Sequence, residues 1–210
     1  MDIQIDSQGL TNIYNAGQLV TLMRRVDQTV ETDAVAALPA VAWQAFAPFQ
    51  SNTVTWTDDF YCFVTATPLV MNAVIEMNTK SDAPMDIGYV YVFAQGQLVK
   101  QQQAGSAHSY VVSNATPTES FSFGLAQAAV VNNVSTLAPI CVVPVLYNES
   151  AYFTPTTVIA TFLSNAKAAG AILPAPPNAC DVVVKPGSNV PTLGFNDQTN
   201  LFFELSENLS

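Results

Sequence analysis

Charged side chains are scarce in this sequence. Of 210 residues only 10% are Asp, Glu, Lys or Arg, well under the usual quarter. Cations are the rarer kind: 6 Lys and Arg stand against 16 Asp and Glu, for a formal net charge of -10. So few cations cannot neutralise a run of phosphates or dock by charge on an anionic membrane surface. Nucleic acid is not expected as a partner. Histidine occurs once, at position 108. That excludes a zinc centre of two or three imidazoles, and any Ser–His nucleophile would have to be built on His108, where no Gly-x-Ser-x-Gly elbow exists. Phosphate-cradling Gly-x-Gly-x-x-Gly and Gly-Lys-Ser/Thr loops are missing as well. No cofactor and no metal are expected.

Long apolar runs are also absent. Hydrophobic residues make up 50% of the chain, but Pro, Asn or Ser interrupts every run well short of the roughly 20 residues that span a bilayer. No transmembrane segment is expected. Met1-Asp2-Ile3-Gln4-Ile5-Asp6 is acidic and alternating, without the positive start and apolar stretch of a secretory leader. As written the chain is expected in the cytoplasm, with non-classical export as the alternative. The cysteines, Cys62, Cys141 and Cys180, are few, far apart and not in Cys-x-x-Cys spacing, so reduced, buried thiols are expected. A Cys141–Cys180 bridge is the competing possibility in an oxidising compartment.

What the sequence has in quantity is short β patterning. Strand-like runs recur at close spacing over 41–46, 53–57, 60–65, 73–77, 89–93, 97–101, 108–112, 121–125, 140–147, 157–163, 181–184 and 201–205, bounded by turn residues. Such spacing predicts an all-β, antiparallel β-sandwich of Greek-key or jelly-roll type, with at most one or two short helices. Residues 7–15 are the helix candidate, closed by Gly17. The clearest hairpin is 89–93 with 97–100, turned at Gln95-Gly96, where Gly supplies a positive φ. Residues 156–169 carry both signals. Their β-branched first half argues for strand, and the spacing of Val158, Phe162 and Ala166 before Gly170 argues for helix. Pro174, Pro176 and Pro177 force the chain to be extended, so 171–179 is read as a crossover within a single domain covering 1–210.

One segment concentrates the aromatics: Trp43, Phe46, Phe49, Trp56, Phe60, Tyr61 and Phe63 include both tryptophans of the chain. Residues 43–46 and 54–56 are expected to face each other across a hairpin and pack as core. The functional reading of the same segment is an aromatic face of Trp43 and Trp56 with Gln50, Asn52 and Asp58 at its rim, which would grip a carbohydrate. The pair Asp58-Asp59 is read as a solvated turn, and a carboxylate-based hydrolase using it is the least implausible enzyme. No catalytic residues are assigned. Between positions 101 and 166 there is no Lys or Arg, and the polar positions are filled by Asn, Gln, Ser and Thr. Neutral amides and hydroxyls can pair with another copy without desolvating charge. The leading expectation is therefore a non-enzymatic, self-associating structural protein forming a homo-oligomer or larger assembly. The rivals are a lectin-like module, and a defence or toxin-type protein that inserts the 89–100 hairpin into a membrane.

Overall fold

The computed structural model describes residues 1–31, 39–117, 121–184 and 190–205. Near the start, Asp6 stops the first strand and opens the only helix among the described residues, α1 (Ser7–Asn15), by accepting the N–H of Gly9 at 2.7 Å. That is an N-cap that satisfies one of the helix's orphan donors. The remaining elements are strands, in two large sheets packed face to face.

The larger sheet runs in the order β11 (Val134–Pro139), β10 (Phe121–Val131), β5 (Ser51–Thr65), β1 (Asp2–Gln4), β16 (Thr192–Asn196), β17 (Leu201–Glu204). On its flanks β12 (Val143–Val145) pairs with β10, and β6 (Thr79–Lys80) with β5. The smaller sheet runs β4 (Gln44–Phe46), β2 (Leu19–Val30), β13 (Ser150–Ser164), β9 (Tyr110–Asn114), β7 (Tyr89–Ala94), β8 (Gln97–Ala104), with β15 (Cys180–Val183) also on β13. A two-stranded piece joins β3 (Ala40–Val41) to β14 (Ile172–Leu173). Pairing is antiparallel except for β1 with β16 and β7 with β9. These two parallel pairs depart from a purely antiparallel sandwich.

Alternation places the core between the sheets. Ile3, Leu22, Trp43, Val54, Phe60, Phe123, Leu125, Phe153 and Ile159 belong to one buried cluster that reaches from Met1 to Phe202 along the chain. At about 25 cal/mol per Å² of apolar surface removed from water, this cluster is the dominant favourable term. A second, smaller cluster lies outside the larger sheet. There Phe63 and Ala126 are covered by Val41, Ile75, Val142 and Ile172. Gly124, between them in the fold, can only be glycine: a Cβ there would meet the Phe63 ring at 2.7 Å and collide with the carbonyl of Cys141. Among the described residues this covering layer is confined to one part of the outer face.

Several expectations need correction. Residues 43–46 and 54–56 do not form a hairpin, because β4 pairs with β2 in the smaller sheet while β5 pairs with β1 and β10 in the larger one. The link between them is a corner fastened by Asn52, whose amide accepts the Phe49 N–H at 2.8 Å and donates to the Phe49 carbonyl at 2.8 Å. The two runs 53–57 and 60–65 are one strand, β5, with Asp58 and Asp59 in its middle rather than in a turn. The ambiguous 156–169 segment is strand as far as Ser164, held by β2 on one side and by β9 and β15 on the other. Residues 165–169 are irregular, not helical. Only an isolated bridge, Val74 to Ala171, stands where a strand over 73–77 was expected. The proline run behaves as a connection, carrying the chain from β14 to β15.

Candidate functional site

Two irregularities face each other across the sandwich. Pairing of β10 with β5 jumps from Gln127↔Phe60 to Ala129↔Trp56, so three β5 residues oppose one on β10. Pairing of β13 with β2 jumps in the same way, from Pro155↔Val26 to Ile159↔Arg24. A bulge of this kind leaves backbone groups without ladder partners. One long polar side chain fills each. Gln127 Nε2 donates to the Thr57 carbonyl at 2.8 Å, and Arg24 Nε donates to the Thr156 carbonyl at 3.2 Å.

The two side chains then meet in the interior. Arg24 Nη1 donates to Gln127 Oε1 at 3.5 Å, and Asp58 Oδ1 accepts from Arg24 Nη2 at 3.1 Å and from Gln127 Nε2 at 3.3 Å. Trp43 Nε1 donates to the Gln127 carbonyl at 3.0 Å, and the guanidinium lies 5.6 Å from the Phe60 ring centre. Arg24 is 7% exposed and Asp58 61%. Burial pushes the Arg24 guanidinium below its ordinary pKa, and the charge of Asp58 opposes that shift. The arrangement is a clasp between sheets: its donors and acceptors are directed at one another, not at a vacant space.

Of the sequence-predicted binding residues, the structure brings Trp43, Trp56 and Asp58 together around this clasp. It does not make a flat aromatic face of them. Trp43 is wholly buried, and half-buried Trp56 packs edge-on against it with ring centres 5.6 Å apart. Asn52 is buried at the corner, donating also to the Ile3 carbonyl, while exposed Gln50 donates to the Ser7 hydroxyl. Arg24 and Gln127 were missed by sequence reasoning. Gln127 had a usable signal, since the alternation Phe123, Leu125, Gln127 places it on the inward face.

The open part of the larger sheet's outer face is chemically distinctive. Along β5, Asn52 and Val54 point inward and Ser51, Thr53 and Thr55 outward. Beside them lie Gln4 on β1 and Val130 on β10, both exposed. Two aromatics project at the ends, Phe49 at 61% exposure and Phe203 at 44%. Two shallow depressions share Ser51. One, of about 510 Å³, is lined by Phe49, Thr53, Thr55, Val130, Asn132 and Asn133. The other, of about 400 Å³, is lined by Gln4, Ile5, Asp6, Gln50, Gly194, Phe195, Phe203 and Leu205. Among the described residues no Lys or Arg lines either. The acids near this face are engaged: Asp6 caps α1, and Asp2 accepts from the Thr53 hydroxyl at 3.1 Å. The cation-free 101–166 stretch supplies β10 and β11 to this sheet and β9 and β13 to the other.

The other sequence candidates take structural places. Tyr91 and Phe93 of the β7–β8 hairpin are buried in the main core, and exposed Tyr89 carries Lys100 over its ring at 3.8 Å. Lys100 also pairs with Asp86 at 2.6 Å. All three cysteines are free. No group of His, Cys, Asp and Glu among the described residues is arranged to hold a metal ion, and no helix among them is long and apolar enough to cross a membrane. No family model, curated protein or solved structure matches the chain.

Proposed function

We propose that the protein is a non-enzymatic structural component that self-associates, and that copies meet through the open outer face of the larger sheet. The observation that carries this reading is a broad, cation-free sheet face of hydroxyl and amide side chains bounded by two projecting phenylalanines. Burying Ser, Thr and Gln against another copy exchanges water hydrogen bonds for protein ones at little net cost, whereas charged side chains would have to be desolvated. Phe49 and Phe203 supply the aromatic anchors on which interface energy concentrates. Six strands spaced at about 4.8 Å make the face roughly 24 Å wide. Its plan area is then several hundred Å², of the order of the roughly 800 Å² per partner in a stable interface.

The test introduces charge at the centre and the edge of the face. Thr55→Lys and Phe203→Asp are each expected to weaken self-association at least tenfold in sedimentation velocity. Val99→Lys, at an exposed position of the smaller sheet's β8, is expected to leave it unchanged. Equal association in all four proteins, or loss only in Val99→Lys, would overturn the assignment of the face.

A further inference from the structure

A separate cleft lies between the proline run and the turn that leads into β17. It has a volume of about 630 Å³, within the range of small-ligand sites. Its apolar side is formed by Phe162, Leu173, Pro174 and Pro176, and Asn72, Asn165, Asn178 and Asn200 stand around it. Among the described residues, no charged side chain lines it.

Four asparagines gather around this one cleft. Elsewhere Asn12, Asn52, Asn78, Asn114, Asn132 and Asn196 are tied by side-chain hydrogen bonds to their own fold, while Asn15, Asn133 and Asn148 are scattered singly on the surface without one. Around the cleft the side-chain amides of Asn72, Asn165, Asn178 and Asn200 make no hydrogen bond to any described residue. Asn72 and Asn200 moreover sit at positive φ, 64° and 55°, a conformation usually supported by the Asn side chain bonding locally. Here those amides are exposed, bonded to water and open to exchange it for a ligand.

We infer that this cleft binds a neutral oligosaccharide. An amide both donates and accepts, which matches sugar hydroxyls that do the same. The C–H face of a pyranose fits against exposed Pro174 and half-buried Pro176, with buried Phe162 and Leu173 beneath them, and the prolines hold that wall without an ordering cost on binding. With no cation to pair, sialylated or sulfated sugars would bring unpaired anions to a protein of net charge -10, so the site selects against them. This inference is independent of the self-association face, which shares none of these residues.

The experiment is an array of neutral oligosaccharides with their sialylated and sulfated counterparts, followed by calorimetric titration of the best neutral binder. Binding is expected for a neutral glycan and to weaken at least tenfold in Ala175→Trp, which fills the cleft from an exposed position, and in the double substitution Asn165→Ala with Asn178→Ala. Phe203→Asp is expected to bind as the unaltered protein does. Absence of neutral-glycan binding at millimolar concentration, preference for the anionic glycans, or binding indifferent to the cleft substitutions would each overturn the inference. Circular dichroism confirms that the variants are folded.

Discussion

At Arg24 a permanent charge, 7% exposed, sits between two sheets with a carboxylate that is itself 61% exposed. The two partners are therefore unequal. Removing Asp58 leaves the guanidinium buried and uncompensated, whereas removing Arg24 leaves Asp58 largely in water. Asp58→Ala is expected to cost about 1–2 kcal/mol, discounted because solvent already screens that carboxylate. Gln127→Leu is expected to cost about 2–3 kcal/mol, since it orphans the Thr57 carbonyl and removes a partner of Arg24 at once. Urea melts would show these as midpoint shifts of roughly 0.5–1.5 M at an m-value of about 2 kcal/mol/M. Coincident melts for the unaltered protein and Gln127→Leu would show that the clasp contributes nothing. The thiols give a second prediction at this scale. Burial pushes Cys62 and Cys141 up to about 12, while in the unfolded chain they ionise near the ordinary 9.0. Between pH 9 and 12 the unfolded state thus binds fewer protons than the folded state, and stability falls as pH rises through that window. Below pH 9 these groups contribute no pH dependence. Native protein at pH 8 is expected to react with a thiol reagent at half-buried Cys180 alone, and unfolded protein at Cys62, Cys141 and Cys180. A protein with no reactive thiol when folded and only Cys62 reactive when unfolded would contain the Cys141–Cys180 bridge instead.

At the scale of elements, the places where the chain departs from regular pairing carry most of the specificity. Gly124 lies in β10 under the Cys141 carbonyl and the Phe63 ring. Gly124→Ala must displace backbone or an aromatic, and is expected to cost about 3 kcal/mol by overpacking, read as a lowered thermal midpoint. An unchanged midpoint would mean that the outer layer yields freely. The same irregular places limited what the sequence could reveal. Alternation made β7, β8 and the start of β10 legible, and the Gln95-Gly96 turn sits where it was expected, with φ of 51° and 79°. Capping chemistry made the end of α1 legible through Gly17, while the Asp6 cap at its start came only from the structure. Bulges were not legible, because they shift which face a residue occupies without changing its type. Arg24 and Arg25 are the same residue type side by side, yet the first is buried and the second exposed. The corner at Asn52 was invisible for a different reason. Trp43 and Trp56 do end in contact, but from opposite sheets, and a local pattern cannot tell a hairpin partner from a partner across the sandwich. Of the candidate site, the aromatic cluster and Asp58 were readable, while Arg24, Gln127 and the neutral face required the topology that assembles them.

For the whole molecule, charge sets the balance between staying apart and coming together. A net charge of -10 repels copies at long range, and salt screens that repulsion over about 10 Å at 0.1 M. Among the described residues neither depression is lined by a Lys or Arg that could form an ion pair, so salt is not expected to weaken the contact. Self-association should strengthen as salt rises from 20 to 500 mM, by light scattering at fixed protein concentration. Weaker association in high salt would point to an interface made of ion pairs. The most direct measurement of the central claim is the solution mass of the unaltered 22.4 kDa chain, by light scattering on a size-exclusion column over a hundredfold concentration range. Growth from a small species into larger particles as concentration rises is the result expected of a protein whose neutral sheet face meets its own copies. A mass fixed at the monomer across the whole range would contradict it.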